Sequence, residues 1–180
     1  ILMRPEIDYG LDVIYDGLCE LLGDENVVEF PYKASLHQGQ QATDYYPCTF
    51  ARGGSMLERE ALRAQLRQGA YDLILFADSE HALSRDFVRD LLSANASIPV
   101  AILDQSDSVE DAFLPLSAYL DRDDCLACLK RDRLQGLSYH PRVVSLPFAY
   151  PESRIPTWHD NPRDIPISWS GSRQNWMREC

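Results

Sequence analysis

Side chains that could act as general acids or bases follow several short apolar runs of this chain. A carboxylate or an imidazole held in a crevice is a natural base towards a hydroxyl group. The candidates are Glu6, Asp8, His37, Asp78, Glu80 and His81. Taken singly, each is more simply a surface loop residue, and Asp8 could instead cap a helix. A shared role requires that the fold bring several of them together.

The elements that would position these residues are clearest in the stretch 71–107. Two apolar runs, at 73–77 and 98–103, end in Asp78 and Asp104, and a segment with helical periodicity lies between them. This pattern predicts a strand, a helix and a second strand in a parallel sheet that is covered on both faces. Ligands of such sheets bind beyond the carboxyl ends of the strands, where both aspartates are expected.

Periodicity and turn residues predict the remaining elements. In order, they are a strand over 1–3, a helix over 11–22 that ends at Gly23, a strand over 26–30, a helix over 56–68 with a Ser55–Glu58 capping box, an edge strand over 117–120, a helix over 125–134 and a strand over 142–146. The first helix is expected to bury Val13, Ile14, Leu18, Leu21 and Leu22. The irregular stretch 34–54 is typical of a binding loop, a lid or disorder. We therefore predict an α/β fold with a Rossmann-like (flavodoxin-like) parallel sheet and helices on both faces.

Composition excludes some classes of partner. The 180 residues carry a formal net charge of −11, which disfavours nucleic acid and anionic membranes as general partners. No apolar run reaches the roughly 20 residues of a membrane span, and no signal-peptide layout is present. Five cysteines form no disulfide-scaffold pattern, which favours reduced thiols and a cytoplasmic location.

Composition also divides the chain. Residues 1–150 are expected to form one Rossmann-like domain, and the proline-rich stretch 151–164, which has no apolar rhythm, is expected to be a linker. Residues 165–180 look like the strand, turn and helix start of a second domain. We therefore expect the chain to be a fragment, or a shortened relative, of a longer protein.

Several common chemistries lack their motifs. There is no nucleophile elbow, no Gly-x-Gly-x-x-Gly and no Walker lysine loop. Cys125 and Cys128 lack the further ligands of a structural zinc site, so we predict no metal and two half-buried helix cysteines. Gly53 and Gly54 could cradle an anion at a helix start, although they serve equally well to make a turn.

A phosphoacceptor receiver domain is the competing class. The stretch 69–78 (GAYDLILFAD) resembles the receiver strand that ends in the phosphorylated aspartate, here Asp78. Receiver chemistry also needs a Ser or Thr that ends the next strand and a lysine on a strand. Asp104 occupies the first of these places, and Lys130 is predicted to lie in a helix. The alternative function is therefore a non-catalytic, receiver-like signalling or interaction domain.

Three groups of motifs carry a family resemblance. They are RPEIDY at 4–9 with LDVIYDGLCELLG at 11–23 and VVEFP at 27–31, then LKRDRL at 129–134 with VVSLPF at 143–148, and finally IPISWSGSR at 165–173. In this order they resemble the N-terminal half of GT-B glycosyltransferases of the spore-maturation-protein-like type. The family's element is Phe-Lys-Arg-Glu, whereas Leu129 and Asp132 stand at its first and last positions here.

The resemblance implies a function. The N-terminal domain of that family binds the acceptor and the C-terminal domain binds most of the nucleotide-sugar, here a UDP- or GDP-sugar. The implied catalytic base is one of Glu6, Asp8 and His81. The implied substrate-binding residues are Asp78, Glu80, Asp104, Lys130 and Arg131, and the implied donor-binding residues are Gly171, Ser172 and Arg173. The expected partners are a sugar or glycan acceptor and a C-terminal domain, without which this chain would be inactive.

Overall fold

The computed structural model describes residues 1–2, 9–37, 50–77, 90–95, 97–105, 117–131, 133 and 136–146. Its centre is a four-stranded parallel sheet in the order β1 (Ile74–Phe76), β2 (Val100–Asp104), β3 (Cys125–Lys130) and β4 (Val143–Ser145). The prediction of an α/β fold with a parallel sheet is confirmed. The two apolar runs at 73–77 and 98–103 do form neighbouring strands.

The described helices are α1 (Tyr9–Leu22), α2 (Arg59–Arg67), the described part of α3 at 90–94, and α4 (Ser117–Leu120). Short 3₁₀ turns lie at Asp24–Asn26 and Ala34–Leu36. Among the described residues of the predicted strands over 1–3 and 26–30, the pairing consists of isolated bridges, in which Leu2 pairs in parallel with both Phe30 and Phe76. The backbone around Leu2 therefore lies between Phe30 and β1.

Residues alternate between the two faces of the sheet, as the two-residue period of a strand requires. On one face Ile74, Phe76, Val100 and Ile102 share an apolar cluster with residues of α2, α3 and α4, namely Leu62, Leu66, Leu91, Leu92 and Leu120. On the other face Leu75, Ala101 and Leu103 share a second cluster with residues of α1, namely Leu11, Val13, Tyr15 and Cys19. Helices therefore cover both faces.

The predicted helix over 125–134 is wrong, since residues 125–130 form β3. The register explains the error. Val100 pairs with Cys125, but Ala101 pairs with Ala127, so Leu126 is the extra residue of a bulge and is 58% exposed. The bulge brings Cys125 and Cys128 to the same face of the sheet. Apolar side chains that share a face at a spacing of three residues are typical of a helix, which explains the wrong prediction.

Two further predictions need correction. The expected edge strand over 117–120 is helix α4, whose Leu120 is buried. Helix α2 begins at Arg59, with Glu58 as an N-cap residue that makes no side-chain capping bond. The predicted Ser55–Glu58 capping box is therefore not formed.

The buried face of α1 also differs from the predicted one. Leu21 and Leu22 are 80% and 55% exposed. The side chains that the helix buries include Leu11, Asp12, Val13, Tyr15, Asp16 and Cys19, whereas Ile14 and Leu18 are half-buried. A buried helix face is usually recognised by its apolar residues, and this face contains two aspartates. The sequence pattern therefore did not reveal which face of α1 is buried.

Two glycines, one inside α1 and one at its end, provide a matched test. Gly23 has φ 90° and ψ 140°, and its amide donates to the carbonyl of Cys19, which confirms that it ends the helix. Gly17 lies inside the helix, and a methyl group added to its Cα would meet no atom within 4 Å. We expect Gly23→Ala to lower the free energy of unfolding by about 1–3 kcal/mol. Gly17→Ala should raise it by about 0.5–1 kcal/mol, and urea denaturation of both variants checks the pair.

Candidate functional site

Most predicted site residues lie outside the described part of the chain. They are Glu6, Asp8, Asp78, Glu80, His81, Gly171, Ser172 and Arg173. For two of the segments that contain them, the structure describes the residue immediately before the segment, namely Leu2 and Ala77. The amide of Ala77 donates to the carbonyl of Leu2 at 2.8 Å, so the segments that start at 3 and 78 leave neighbouring strand ends. Glu6 and Asp8 therefore belong to a segment that starts beside the one bearing Asp78, Glu80 and His81.

Asp104 and Lys130 meet at the same edge of the sheet. They are the last residues of β2 and β3, and the register pairs them directly. Lys130 Nζ lies 2.6 Å from Asp104 Oδ2, and the two side chains are 1% and 0% exposed. The sheet thus ends in a buried ion pair whose opposite charges lie against each other. Their predicted contact with substrate stays a prediction.

Arg131 extends this arrangement beyond β3. Its amide donates to the carbonyl of Asp104 at 2.9 Å, and the amide of Leu146 donates to the carbonyl of Lys130 at 2.8 Å. Arg131 itself is half-buried. Among the described candidates it is therefore the basic residue nearest to solvent at the carboxyl edge, a position suited to an anionic group.

A second buried ion pair, which the sequence did not reveal, lies between α1 and the segment after Phe30. Lys33 Nζ is 2.5 Å from Asp12 Oδ1, and both side chains are almost fully buried. Asp12 lies in the first turn of α1. The available signal was the row of acids Asp12, Asp16 and Glu20, which the four-residue spacing places along one side of a helix.

His37, an acid–base candidate, is enclosed by polar and aromatic partners. Nε2 lies 2.5 Å from Glu29 Oε1, and Nδ1 lies 3.0 Å from the carbonyl oxygen of Arg52. The ring stacks on Tyr32 with a centroid distance of 4.8 Å. These contacts leave the imidazole 6% exposed, which is a poor position for a base that must meet a large substrate.

Arg52 links the segment 50–54 to α1 and to the turn that follows it. Arg52 Nε donates to Asp16 Oδ1 at 2.5 Å, and its guanidinium lies 3.6 Å from Asp24 Oδ1. The hydrogen bond to Asp16 raises the pKa of Arg52. The amide of Gly53 donates to Asp24 Oδ2, so this amide already has an anionic partner within the chain. At the anion site considered at Gly53 and Gly54, the Gly53 amide therefore already binds a carboxylate of the chain.

A cleft of about 640 Å³ adjoins this segment. Its lining includes three carboxylates and both glycines, namely Asp24, Glu25, Glu29, Gly53 and Gly54. In the core, burial raises the pKa values of the Tyr15 phenol and the Cys19 thiol, and the negative charge of Glu29 adds to the effect on Tyr15. Both groups therefore remain protonated at neutral pH.

The cysteine pair lies in the core. Cys125 and Cys128 are free and buried, and burial raises the pKa of the Cys125 thiol. Within the described ranges, no group of three or more His, Cys, Asp or Glu side chains could hold a metal ion. None of the described helices is long and apolar enough to cross a membrane.

The chain matches no protein-family model, no curated protein and no solved structure. What the structure defines is a class: a parallel α/β sheet, covered on both faces, with a buried ion pair at the carboxyl ends of β2 and β3.

Proposed function

We propose that this chain is the acceptor-side domain of a GT-B glycosyltransferase, which transfers a sugar from a UDP- or GDP-sugar to an acceptor hydroxyl. One observation carries the proposal. Leu2 and Ala77 are hydrogen-bonded neighbours, so the segments with Glu6, Asp8 and His81 begin side by side at the carboxyl edge. Ligands of parallel sheets bind beyond the carboxyl ends of the strands, so this junction supports a proposed site to which both stretches contribute candidate bases.

The order of the paired segments supports a Rossmann-like sheet. Across the molecule it runs Phe30, Leu2, β1, β2, β3 and β4. The chain first moves from Leu2 to Phe30 over the face that α1 covers, then returns to β1 on the other side of Leu2. In doubly wound sheets, ligands bind where the chain reverses its direction across the sheet. That point is the boundary between Leu2 and β1.

The roles follow from this placement together with the family resemblance of the sequence motifs. One of Glu6, Asp8 and His81 removes the proton of the acceptor hydroxyl, and Asp78 and Glu80 hold the acceptor. Arg131, at the edge of β3, faces the anionic donor. Gly171, Ser172 and Arg173 belong to the donor-binding domain, where backbone amides and a guanidinium suit a diphosphate.

The test uses the complete protein that contains these 180 residues. Released UDP or GDP is measured with a panel of nucleotide-sugars, and we expect turnover of one donor class. Replacing the true base among Glu6, Asp8 and His81 by alanine should lower kcat about 10²–10⁴-fold. Glu60→Gln, which alters a 77% exposed side chain of α2, should leave kcat unchanged. A complete protein that neither binds nor turns over any nucleotide-sugar contradicts the proposal.

A receiver-like domain is the second candidate, and a specific observation favours it. Lys130 ends strand β3 rather than lying in a helix, next to Asp104 at the end of β2. Three neighbouring strands thus lead towards Asp78, Asp104 and Lys130. However, Asp104 replaces the required Ser or Thr, and a carboxylate would repel a phosphorylated aspartate. Labelling of Asp78 by acetyl phosphate with Mg²⁺ would replace the transferase proposal, whereas we expect no labelling.

A further inference from the structure

Gln105, the first residue after β2, has a buried oxygen that lacks a hydrogen-bond donor. The residue is half-buried, but Oε1 has almost no exposed surface and no described residue donates to it. A buried acceptor without a donor costs free energy, so a folded protein usually supplies it with a partner, which can be a water or a ligand. Turning this carboxamide towards a ligand would break no hydrogen bond of Oε1 and would give the oxygen a partner.

The pairing of the strands determines where Gln105 lies. Asp104 pairs with Lys130, and the amide of Arg131 donates to the carbonyl of Asp104 at 2.9 Å, so the pairing continues past the ends of β2 and β3. Gln105 therefore lies beside Arg131 at the carboxyl edge. Because side chains alternate along a strand, Gln105 shares with Leu103 the face that α1 covers, and Asp104 belongs to the other face.

The chemistry of sugar transfer restricts the position of the transferred sugar. Its anomeric carbon is bonded to the donor diphosphate and must come within reach of the acceptor hydroxyl, whose proton the base removes. In the proposed function, the base belongs to one of the segments that follow Leu2 and Ala77, and Arg131 faces the anionic donor. Strand β2 lies between β1 and β3. The sugar must therefore lie across the end of β2, which is the position of Gln105.

The spacing of parallel strands suits this arrangement. Neighbouring strands are about 4.8 Å apart, so the ends of β1 and β3 are separated by about 10 Å. One sugar ring with its hydroxyl groups can span such a distance. Each of these hydroxyl groups can donate a hydrogen bond, and Oε1 of Gln105 is an acceptor that lacks a described donor.

We infer that Gln105 binds the transferred sugar and that Oε1 accepts a hydrogen bond from one of its hydroxyl groups. The inference rests on the proposed function and adds to it a residue that selects the donor sugar. A site that bonds a substrate hydroxyl rejects an analogue without it, because the protein group is then left unpaired. Gln105 takes no part in proton transfer, since its carboxamide stays neutral.

Gln105→Met tests whether Oε1 has a donor within the protein. The substitution removes the carboxamide and keeps an unbranched side chain of similar length. Because no described residue donates to Oε1, the urea midpoint should stay the same or rise. Gln68→Met is the matched control, because it makes the same chemical change at an exposed position at the C-terminal end of α2.

The decisive measurement compares donor sugars in the complete protein. The substrates are the nucleotide-sugar that the protein turns over best and its monodeoxy analogues, each of which lacks one hydroxyl group of the sugar. We expect one analogue to have a kcat/KM about tenfold below that of the parent donor, as the loss of one hydrogen bond predicts. Gln105→Met should abolish this discrimination, and Gln68→Met should keep it. Effects of the missing hydroxyl on the reactivity of the sugar are the same for every variant and cancel in the comparison.

Three results would overturn the inference and leave the proposed function intact. The first is an unaltered protein that turns over all analogues as well as the parent donor, a result that needs no variant. The second is discrimination that persists in Gln105→Met, which would assign the oxygen to a bound water. The third is a urea midpoint that falls in Gln105→Met but not in Gln68→Met. A complete protein that turns over no nucleotide-sugar contradicts the proposed function and this inference together.

Discussion

Replacing Lys130 by methionine is expected to lower the free energy of unfolding by about 3–5 kcal/mol. The substitution removes the cation that lies 2.6 Å from Asp104 Oδ2 and leaves the carboxylate at a position that is 0% exposed. The buried carboxylate then keeps the free-energy cost of its lost hydration without the positive charge of Lys130 that offsets it. Urea denaturation of Lys130→Met and of the unaltered protein measures the difference.

The double variant Lys130→Met with Asp104→Leu separates the effect of the remaining carboxylate from the effect of losing the ion pair. Replacing both partners of a buried ion pair by apolar residues is often neutral or stabilising, so most of the lost stability should return. Asp124→Asn supplies a surface comparison, because Arg122 and Asp124 form a 2.6 Å pair whose arginine side chain is 42% exposed. Breaking that pair should cost only about 0–1 kcal/mol. If the double variant is no more stable than Lys130→Met, the carboxylate that has lost Lys130 is not the cause of the lost stability.

The central part of the fold could be predicted because its signals are local. The apolar runs at 73–77 and 98–103 are continuous, as expected of strands that are buried on both faces, and they form β1 and β2. Gly23 ends α1 because a positive φ is easiest for glycine. In each case the residues of the element itself determine where the element forms or ends.

The errors arise where distant residues decide the structure. The strand β3 looks helical because its pairing with β2 contains a bulge, and the register belongs to two segments rather than to one. The inner face of α1 could not be recognised without Lys33 and Arg52, which neutralise Asp12 and Asp16. A sequence pattern treats an aspartate as exposed, whereas a charged partner elsewhere in the chain offsets the free-energy cost of its burial.

The candidate site shows the same division. Asp104 was expected at a strand end and lies there, but its partner Lys130 was expected in a helix. Which side chain faces Asp104 depends on the register between β2 and β3, and the sequence of one strand alone does not determine that register. His37 was expected in an irregular stretch, and its bonds to Glu29 and Arg52 depend on a fold that returns residue 52 to residue 37.

The other large effect is expected at Phe76, the last residue of β1. Phe76 is 2% exposed, pairs with Leu2 and Ile102, and belongs to the cluster formed with α2 and α3. Phe76→Ala should lower the free energy of unfolding by about 3–5 kcal/mol, because it removes buried apolar surface and leaves a cavity in a sheet that relaxes only in part. This loss is a large fraction of the roughly 5–15 kcal/mol of a typical domain, and urea denaturation measures it.

Leu73→Ala is the matched control for Phe76→Ala. Leu73 lies just before β1 and is 49% exposed, so its truncation should cost less than about 1 kcal/mol. Equal losses at the two positions would show that Phe76 is not the centre of the sheet. Since Phe76 pairs beside Leu2, Phe76→Ala should also weaken the junction from which the segments with Glu6, Asp8 and His81 begin. Under the proposed transferase function, kcat of the complete protein should therefore fall under conditions in which the Phe76→Ala variant remains folded, whereas Leu73→Ala should leave kcat unchanged.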